Sequence, residues 1–212
     1  KDLNIQTAAF IFSWDNLPKA TKIIDTDFYF VWSDFMKQEL LTYYPSIDET
    51  QIIVSGTPQF EAHYDDEVYI SKKKFYNTYG LDANKEYICF SGDDKTTSPF
   101  DEYYLEDLAD VVNELNQAGH EIGILFRRCP VDFSNRYNKA ITKYKNLIIP
   151  VAPKWERMGA VWNTIMPTKE DTNLLVNTAK HIFAVMNIGS SMVFDYAAHN
   201  KSCMYINYNQ PF

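Results

Sequence analysis

Apolar positions along this chain follow two rhythms. Short apolar runs, of the length of buried strands, occur at residues 8–12, 28–32, 52–54, 87–90, 121–126, 147–150, 182–187 and 203–206. Between them lie stretches in which apolar residues recur at helical spacing. Residues 33–43 carry Phe35, Met36, Leu40 and Leu41 near that spacing, and residues 103–117 place Leu105, Leu108, Val111, Val112 and Leu115 on one face. Further helices are predicted at 71–79, at 135–144, from Thr168 and from Ser191. Ser33 and Thr168 stand where N-caps belong, with Asp171 completing a near capping box, and Gly80 and Gly119 stand where helices stop. Residues 13–16 read as a polar turn, and 60–66 as an irregular linker.

Short apolar strands alternating with helices imply an α/β fold: Rossmann-like parallel sheets with helices on both faces. Ligands of such sheets bind at the carboxyl ends of the strands. The polar loops at 92–95, 127–128, 150–153 and 189–191 all follow strands, so they should gather along one edge. The last is the most informative. It reads as a buried strand ending at Asn187, the tight turn Gly189-Ser190-Ser191, then a helix. Backbone N–H groups at a helix start, with the positive end of its dipole, favour an anion, and Ser hydroxyls can serve that anion or cap the helix. The residues alone leave open a phosphate site and an ordinary Ser-capped helix.

Composition narrows the function. The net charge of −8 argues against a nucleic-acid partner, which needs a basic face. Any anion must be held by a local pocket. Aromatic residues make up 16% of the chain, enough to line a sugar or base pocket but equally suited to a thick core. Cys89, Cys129 and Cys203 are odd in number and widely spaced, and read as buried free thiols of a reducing compartment. Neither a signal peptide nor an apolar run long enough to span a bilayer is visible. The His residues (His63, His120, His181, His199) show no spacing for a metal or a triad and read as structural. The chain begins with Lys and stops just after a strand, which suggests a piece of a longer protein.

Gly189-Ser190-Ser191-Met192-Val193-Phe194-Asp195-Tyr196, followed by Asn200-Lys201, resembles the Ser-Ser-x-x-Phe-Asp-Tyr…Asn-Lys motif of CDP-glycerol glycerophosphotransferases. Related patterns occur in bacterial surface-polysaccharide glycosyltransferases of the GT-B fold. Arg127-Arg128-Cys129-Pro130 is similar to the Arg/Lys-x-His-Pro motif that precedes it there. Ser13-Trp14-Asp15-Asn16-Leu17…Lys19 and Ser55-Gly56-Thr57-Pro58-Gln59-Phe60 resemble two motifs of the same group, in the same order. The resemblance runs from about residue 10 to 206. It implies that residues 1–62 are the tail of an N-terminal acceptor domain, 63–84 a linker and helix, and 85–212 most of a C-terminal donor-nucleotide domain.

The resemblance also implies the chemistry. A GT-B transferase moves a sugar from a nucleotide-diphosphate sugar to a surface glycan or lipid-linked acceptor. It usually needs no metal, because helix N-termini and basic side chains neutralise the leaving diphosphate. No cofactor beyond the nucleotide sugar is then expected. Gly189, Ser190, Ser191, Arg127, Gly92 and Lys95 are the expected donor-phosphate contacts. Arg127 as a surface ion pair and Lys95 as a solvated side chain are the plain alternatives. Asp195 is the expected partner of a donor ribose or sugar hydroxyl, or else a first-turn acid that suits the helix dipole. Asp15 is the candidate general base, with Trp14 and Asn16 on the acceptor side; turn chemistry in Trp14-Asp15-Asn16 is the alternative. The family's His is Cys129 here, a poorer proton carrier, which favours sugar transfer over glycerol- or ribitol-phosphate transfer from a CDP-linked donor. A nucleotide-sugar epimerase and a non-catalytic nucleotide-sugar-binding module are further alternatives. The expected location is the cytoplasm, with peripheral membrane association through parts outside this sequence.

Overall fold

The computed structural model describes residues 3, 5–19, 24–159 and 164–211. The chain forms two compact units, Lys1–Glu61 and Ala62–Phe212.

The first unit is a parallel sheet of β1 (Ala8–Phe10), β2 (Phe28–Val31) and β3 (Ile52–Val54), in that order. The expected polar turn is present at residues 13–15, a short helix α1 (Asn16–Lys19) follows it, and α2 (Asp34–Tyr43) follows β2. Ser33 caps α2 as expected, its Oγ accepting the Met36 N–H. The core collects Ile11, Leu17, Tyr29, Val31, Met36, Leu40, Ile47 and Ile52, whereas Phe35 faces solvent.

The second unit is built on a five-stranded parallel sheet. Its strands are β4 (Glu86–Ser91), β5 (Ile122–Arg127), β6 (Ile148–Pro150), β9 (Ala184–Asn187) and β10 (Ser202–Tyr205). Strand alternation divides the core into two layers. Tyr87, Cys89, Leu125 and Val185 face a layer completed by α3 (Lys72–Tyr79), α6 (Lys169–His181) and α7 (Met192–Ala197). Phe90, Ile124 and Phe126 face a layer completed by α4 (Asp101–Gln117) and α5 (Asn138–Lys143). Helices thus cover both faces, as a parallel sheet requires. Residues 63–84, read as linker and helix, are part of this unit: Phe75 and Tyr76 are buried in its core, and Gly80 stops α3 in the left-handed conformation (φ 67°).

Some expectations are corrected. α5 begins at Asn138 rather than near 135, and α7 begins at Met192. An antiparallel pair, β7 (Trp155–Arg157) with β8 (Ile165–Pro167), fills a stretch where no strand was expected. Of the cysteines only Cys89 is buried; Cys129 is half-buried and Cys203 exposed. The aromatic share goes largely into packing, with Tyr29, Tyr76, Tyr137, Tyr196, Phe75 and Phe90 among the largest fully buried side chains. Among the described residues no helix is long and apolar enough to cross a membrane.

Candidate functional site

The sheet order is β10-β9-β4-β5-β6. From the central β4 the chain works outward through β5 and β6, then returns to β9 on the other side. Loops leaving the carboxyl ends of β4 and β9 therefore part in opposite directions. The crevice between them is where open parallel sheets take ligands.

Side chains of both loops meet there. Ser91, the last residue of β4, donates from Oγ to Ser190 Oγ at 3.2 Å. The Gly189 N–H donates to Asp93 Oδ2 at 3.3 Å. Asn187 ends β9 almost fully buried; its Oδ1 accepts the Ser190 N–H at 3.2 Å, while its Nδ2 has no partner. Ser190 Oγ also accepts the Met192 N–H at 3.3 Å, so Ser190 serves as the cap. Ser191 makes no cap bond, because its backbone is already helical (φ −61°, ψ −9°) instead of extended. Ser191 is exposed, and its hydroxyl is not drawn into the fold.

The two glycines of the crevice differ in kind. At Gly189 an added Cβ would meet nothing within 4 Å, and φ is not positive. Neither packing nor backbone conformation requires glycine there, and the space above it is open to a close-approaching group. Gly92 is buried, and its N–H is taken by the Arg127 carbonyl at 2.8 Å. A Cβ there would lie 2.9 Å from Tyr137 Oη, 3.2 Å from Phe126 Cε2 and 3.3 Å from Asp101 Oδ2. Gly92 is thus a packing residue in this structure, not a backbone approach to a ligand.

A buried polar network holds the β4–α4 loop. Asp101 Oδ2 accepts the Asp93 N–H at 3.1 Å and the Tyr137 hydroxyl at 2.7 Å. Arg136 donates to the carbonyls of Asp93 and Ser98 and to Asp132 Oδ2. Burial and the neighbouring Asp101 push the Asp93 carboxyl up to about 6. Burial acts the same way on Asp94, but bonds from the hydroxyls and N–H groups of Thr96 and Thr97 outweigh it and hold that carboxyl down at about 2. Lys95, between them, is exposed.

Two other expected site residues have internal partners. Arg127 ends β5 buried, and its Nη2 donates to Asp171 Oδ2 at 2.7 Å. Asp171 also accepts the Lys154 N–H at 2.7 Å and the Trp155 indole N–H at 2.6 Å. Arg127 is neither a surface ion pair nor an open bidentate arm: a charge this buried needs its counter-charge. Its buried Nη1 has no hydrogen-bond partner among the described residues. Asp195 is buried and lies 2.8 Å from His63 Nε2, and His63 Nδ1 lies 3.0 Å from His199 Nε2. Its carboxylate is committed to an Asp-His-His chain rather than presented to a ligand. Burial and the adjacent His63 push His199 down to about 4, so it is neutral at pH 7.

In the first unit, Asp15 accepts the Ser13 hydroxyl at 2.7 Å and pairs with Lys19, while Asn16 Oδ1 accepts the Ser13 N–H at 2.9 Å. This is the turn chemistry of the alternative reading. Burial raises the Asp15 carboxyl, but Lys19 and Ser13 outweigh it and the net shift is downward. A general base works best with a pKa near the operating pH, and Asp15 is tuned the other way. Trp14 is 43% exposed.

Sequence reasoning passed over Asp93, Asn187 and the His63–Asp195–His199 chain. Asp93 and Asn187 could have been found by their place in strand-end segments on either side of the switch point. The histidine chain joins residues more than 130 positions apart and left no local signal.

Together the sheet order and the crevice define a Rossmann-like α/β unit. The chain is similar in structure to S. aureus MnaA solved with UDP, at 14% identity and a TM-score of 0.56, covering 86% of this chain and 42% of that one. It is also similar to the wall teichoic acid polymerase TagF soaked with CDPG, at 15% identity and a TM-score of 0.51, covering 85% and 38%. A third is the UDP-GlcNAc 2-epimerase of Methanocaldococcus jannaschii, at 13% identity and a TM-score of 0.52, covering 88% and 48%. At such identities the likeness concerns the fold, and it agrees with the GT-B type that the sequence motifs implied. The chain spans less than half the length of each of these proteins. No protein family profile and no curated protein sequence matches it.

Proposed function

We propose that this chain is the donor-binding part of a glycosyltransferase that moves a sugar from a nucleotide-diphosphate sugar to a surface glycan or lipid-linked acceptor. The observation that carries the proposal is the β4–β9 crevice, where Ser91, Asp93, Gly189 and Ser190 converge beside the open space above Gly189. Charge develops on the leaving diphosphate during such a transfer, and fixed N–H and O–H donors stabilise it without reorganising. In this reading the 189–192 backbone, the Ser190 and Ser191 hydroxyls and exposed Lys95 meet the diphosphate, and no metal is needed. The reaction would take place in the cytoplasm, with the acceptor arriving at a membrane face.

The motif resemblance keeps a second reading, transfer of glycerol or ribitol phosphate from a CDP-linked donor. Cys129 weighs against it: burial raises the thiol, so it carries no useful charge or proton at neutral pH where that family has His. Calorimetric titration of UDP-GlcNAc and CDP-glycerol tests the proposal, with Gly189→Ala and Ser191→Ala beside the parent chain. Neither substitution removes a contact of the free fold. Selective binding of a nucleotide sugar, weakened in both variants, supports the proposal. Binding that both variants retain, or none at all, removes the crevice as the donor site.

A further inference from the structure

We infer that Asp93 is a proton-carrying ligand contact: protonated, it donates a hydrogen bond to a phosphate oxygen of a diphosphate ester held in the β4–β9 crevice, so that binding takes up one proton. The inference rests on the nucleotide-sugar reading of that crevice.

The geometry creates a conflict that a proton resolves. Asp93 Oδ2 sits 3.3 Å from the Gly189 nitrogen, on the N–H that a phosphate approaching this turn would use. Asp93 as a residue is 8% exposed, which leaves little water to screen it from an arriving anion. Two negative groups cannot share this N–H without a large repulsion, whereas a neutral carboxyl can give its O–H to the phosphate. A second observation marks the turn as incomplete. Asn187 is 2% exposed and bonded by Oδ1 to the Ser190 N–H, and its Nδ2 donors find no partner. A buried amide with idle donors beneath the turn is unusual in a finished fold and suits a site that an acceptor-rich group completes.

The surrounding charges say where the proton goes. Asp101 on α4 is the nearest carboxylate; burial raises it as well, but it accepts from both the Tyr137 hydroxyl and the Asp93 N–H, bonds that favour its ionised form. Among the described residues the Asp93 carboxyl accepts from the Gly189 N–H, one donor against the two that Asp101 has, so the proton belongs on Asp93. On its own loop Asp94 stays ionised and repels a charged Asp93. From the segment after β5, Asp132 is paired with Arg136 and Cys129 is a neutral thiol, and Arg136 joins the Gly189 N–H in opposing protonation of Asp93, both outweighed by burial and the neighbouring carboxylates. The β9–α7 turn contributes only N–H and O–H groups. The proton comes from solvent to a carboxyl oxygen of Asp93, and no other bond changes.

The test is calorimetry of the full chain with UDP-GlcNAc and with CDP-glycerol from pH 5.5 to 8, in pairs of buffers of different ionisation enthalpy. Both probes are diphosphate diesters that do not titrate in this range. At pH 7.5 the buffer pairs should report roughly one proton taken up per ligand bound, and affinity should fall roughly tenfold per pH unit above about pH 6. D93N, whose amide donates at any pH, should bind without proton uptake and without the slope. Binding by the parent chain without proton uptake overturns the inference and leaves the nucleotide-sugar reading standing. So does a folded D93N that keeps the slope or loses binding. Failure of both probes at every pH with both proteins overturns the two together. The buffer pairs on the parent chain decide alone if D93N does not fold.

Discussion

Replacing Asp171 by Asn separates a structural from a ligand-binding role for Arg127. Asp171 is 2% exposed and accepts three hydrogen bonds, from Arg127 Nη2, the Lys154 N–H and the Trp155 indole. An Asn keeps one acceptor oxygen but turns an N–H₂ toward a former donor, and it leaves Arg127 charged and buried. Removing one partner of a buried ion pair costs about 3–5 kcal/mol. In a domain of this size that corresponds to a melting temperature lower by roughly 10 °C. The assay is urea unfolding of D171N, R127M and the double variant, scored as a double-mutant cycle. D171N should fall by about 3 kcal/mol or more, and the double variant should recover part of the loss, because no unpaired charge remains. The reasoning is refuted if D171N costs less than about 1 kcal/mol, the range of an exposed pair. It is refuted equally if R127M keeps full stability while losing nucleotide binding.

Gly92→Ala should destabilise the chain by about 1–3 kcal/mol, because its Cβ would press on Tyr137, Phe126 and Asp101; Gly189→Ala should leave the urea midpoint unchanged and weaken nucleotide binding. Asp195→Ala should cost about 1–3 kcal/mol by removing the carboxylate bonded to buried His63 Nε2, and a chain of unchanged midpoint would contradict the buried hydrogen bond. The Asp93 carboxyl is displaced from the ordinary 3.8 up to about 6, so the folded state holds its proton more tightly than the unfolded state. Its contribution to stability is therefore largest at low pH and declines, by about 2–3 kcal/mol at 1.4 kcal/mol per unit, as pH rises through that window. D93N should remove this slope from a series of urea midpoints measured between pH 4 and 7.

Much of the fold was legible because it is written locally. The Ser33 and Thr168 caps, the Gly80 stop and the Leu105, Leu108 and Val112 part of the α4 face each depend on residues within a few positions, although Val111 and Leu115, expected on that face, are exposed. The alternation of strands and helices led to a parallel sheet with its polar loops at one edge, and so to the crevice. What stayed hidden were side-chain partnerships over long separations. Arg127 looks like a free phosphate ligand until Asp171, 44 residues on, is seen to hold it. Asp195 looks like a ligand contact until His63 arrives from another element. Whether Gly92 serves a ligand or a neighbour depends on where Tyr137 packs. The β7–β8 pair has strands of 3 residues each, too short to show a period in the sequence.

The central claim is that a nucleotide diphosphate ester sits between the ends of β4 and β9. Its most direct test is amide chemical-shift mapping of the ¹⁵N-labelled chain during titration with UDP-GlcNAc and CDP-glycerol. The account predicts saturable shifts concentrated at residues 91–95 and 187–192, with the Gly189 N–H moving most as it exchanges Asp93 for a phosphate oxygen. Shifts confined to other surfaces, with these residues unmoved at saturation, would contradict it.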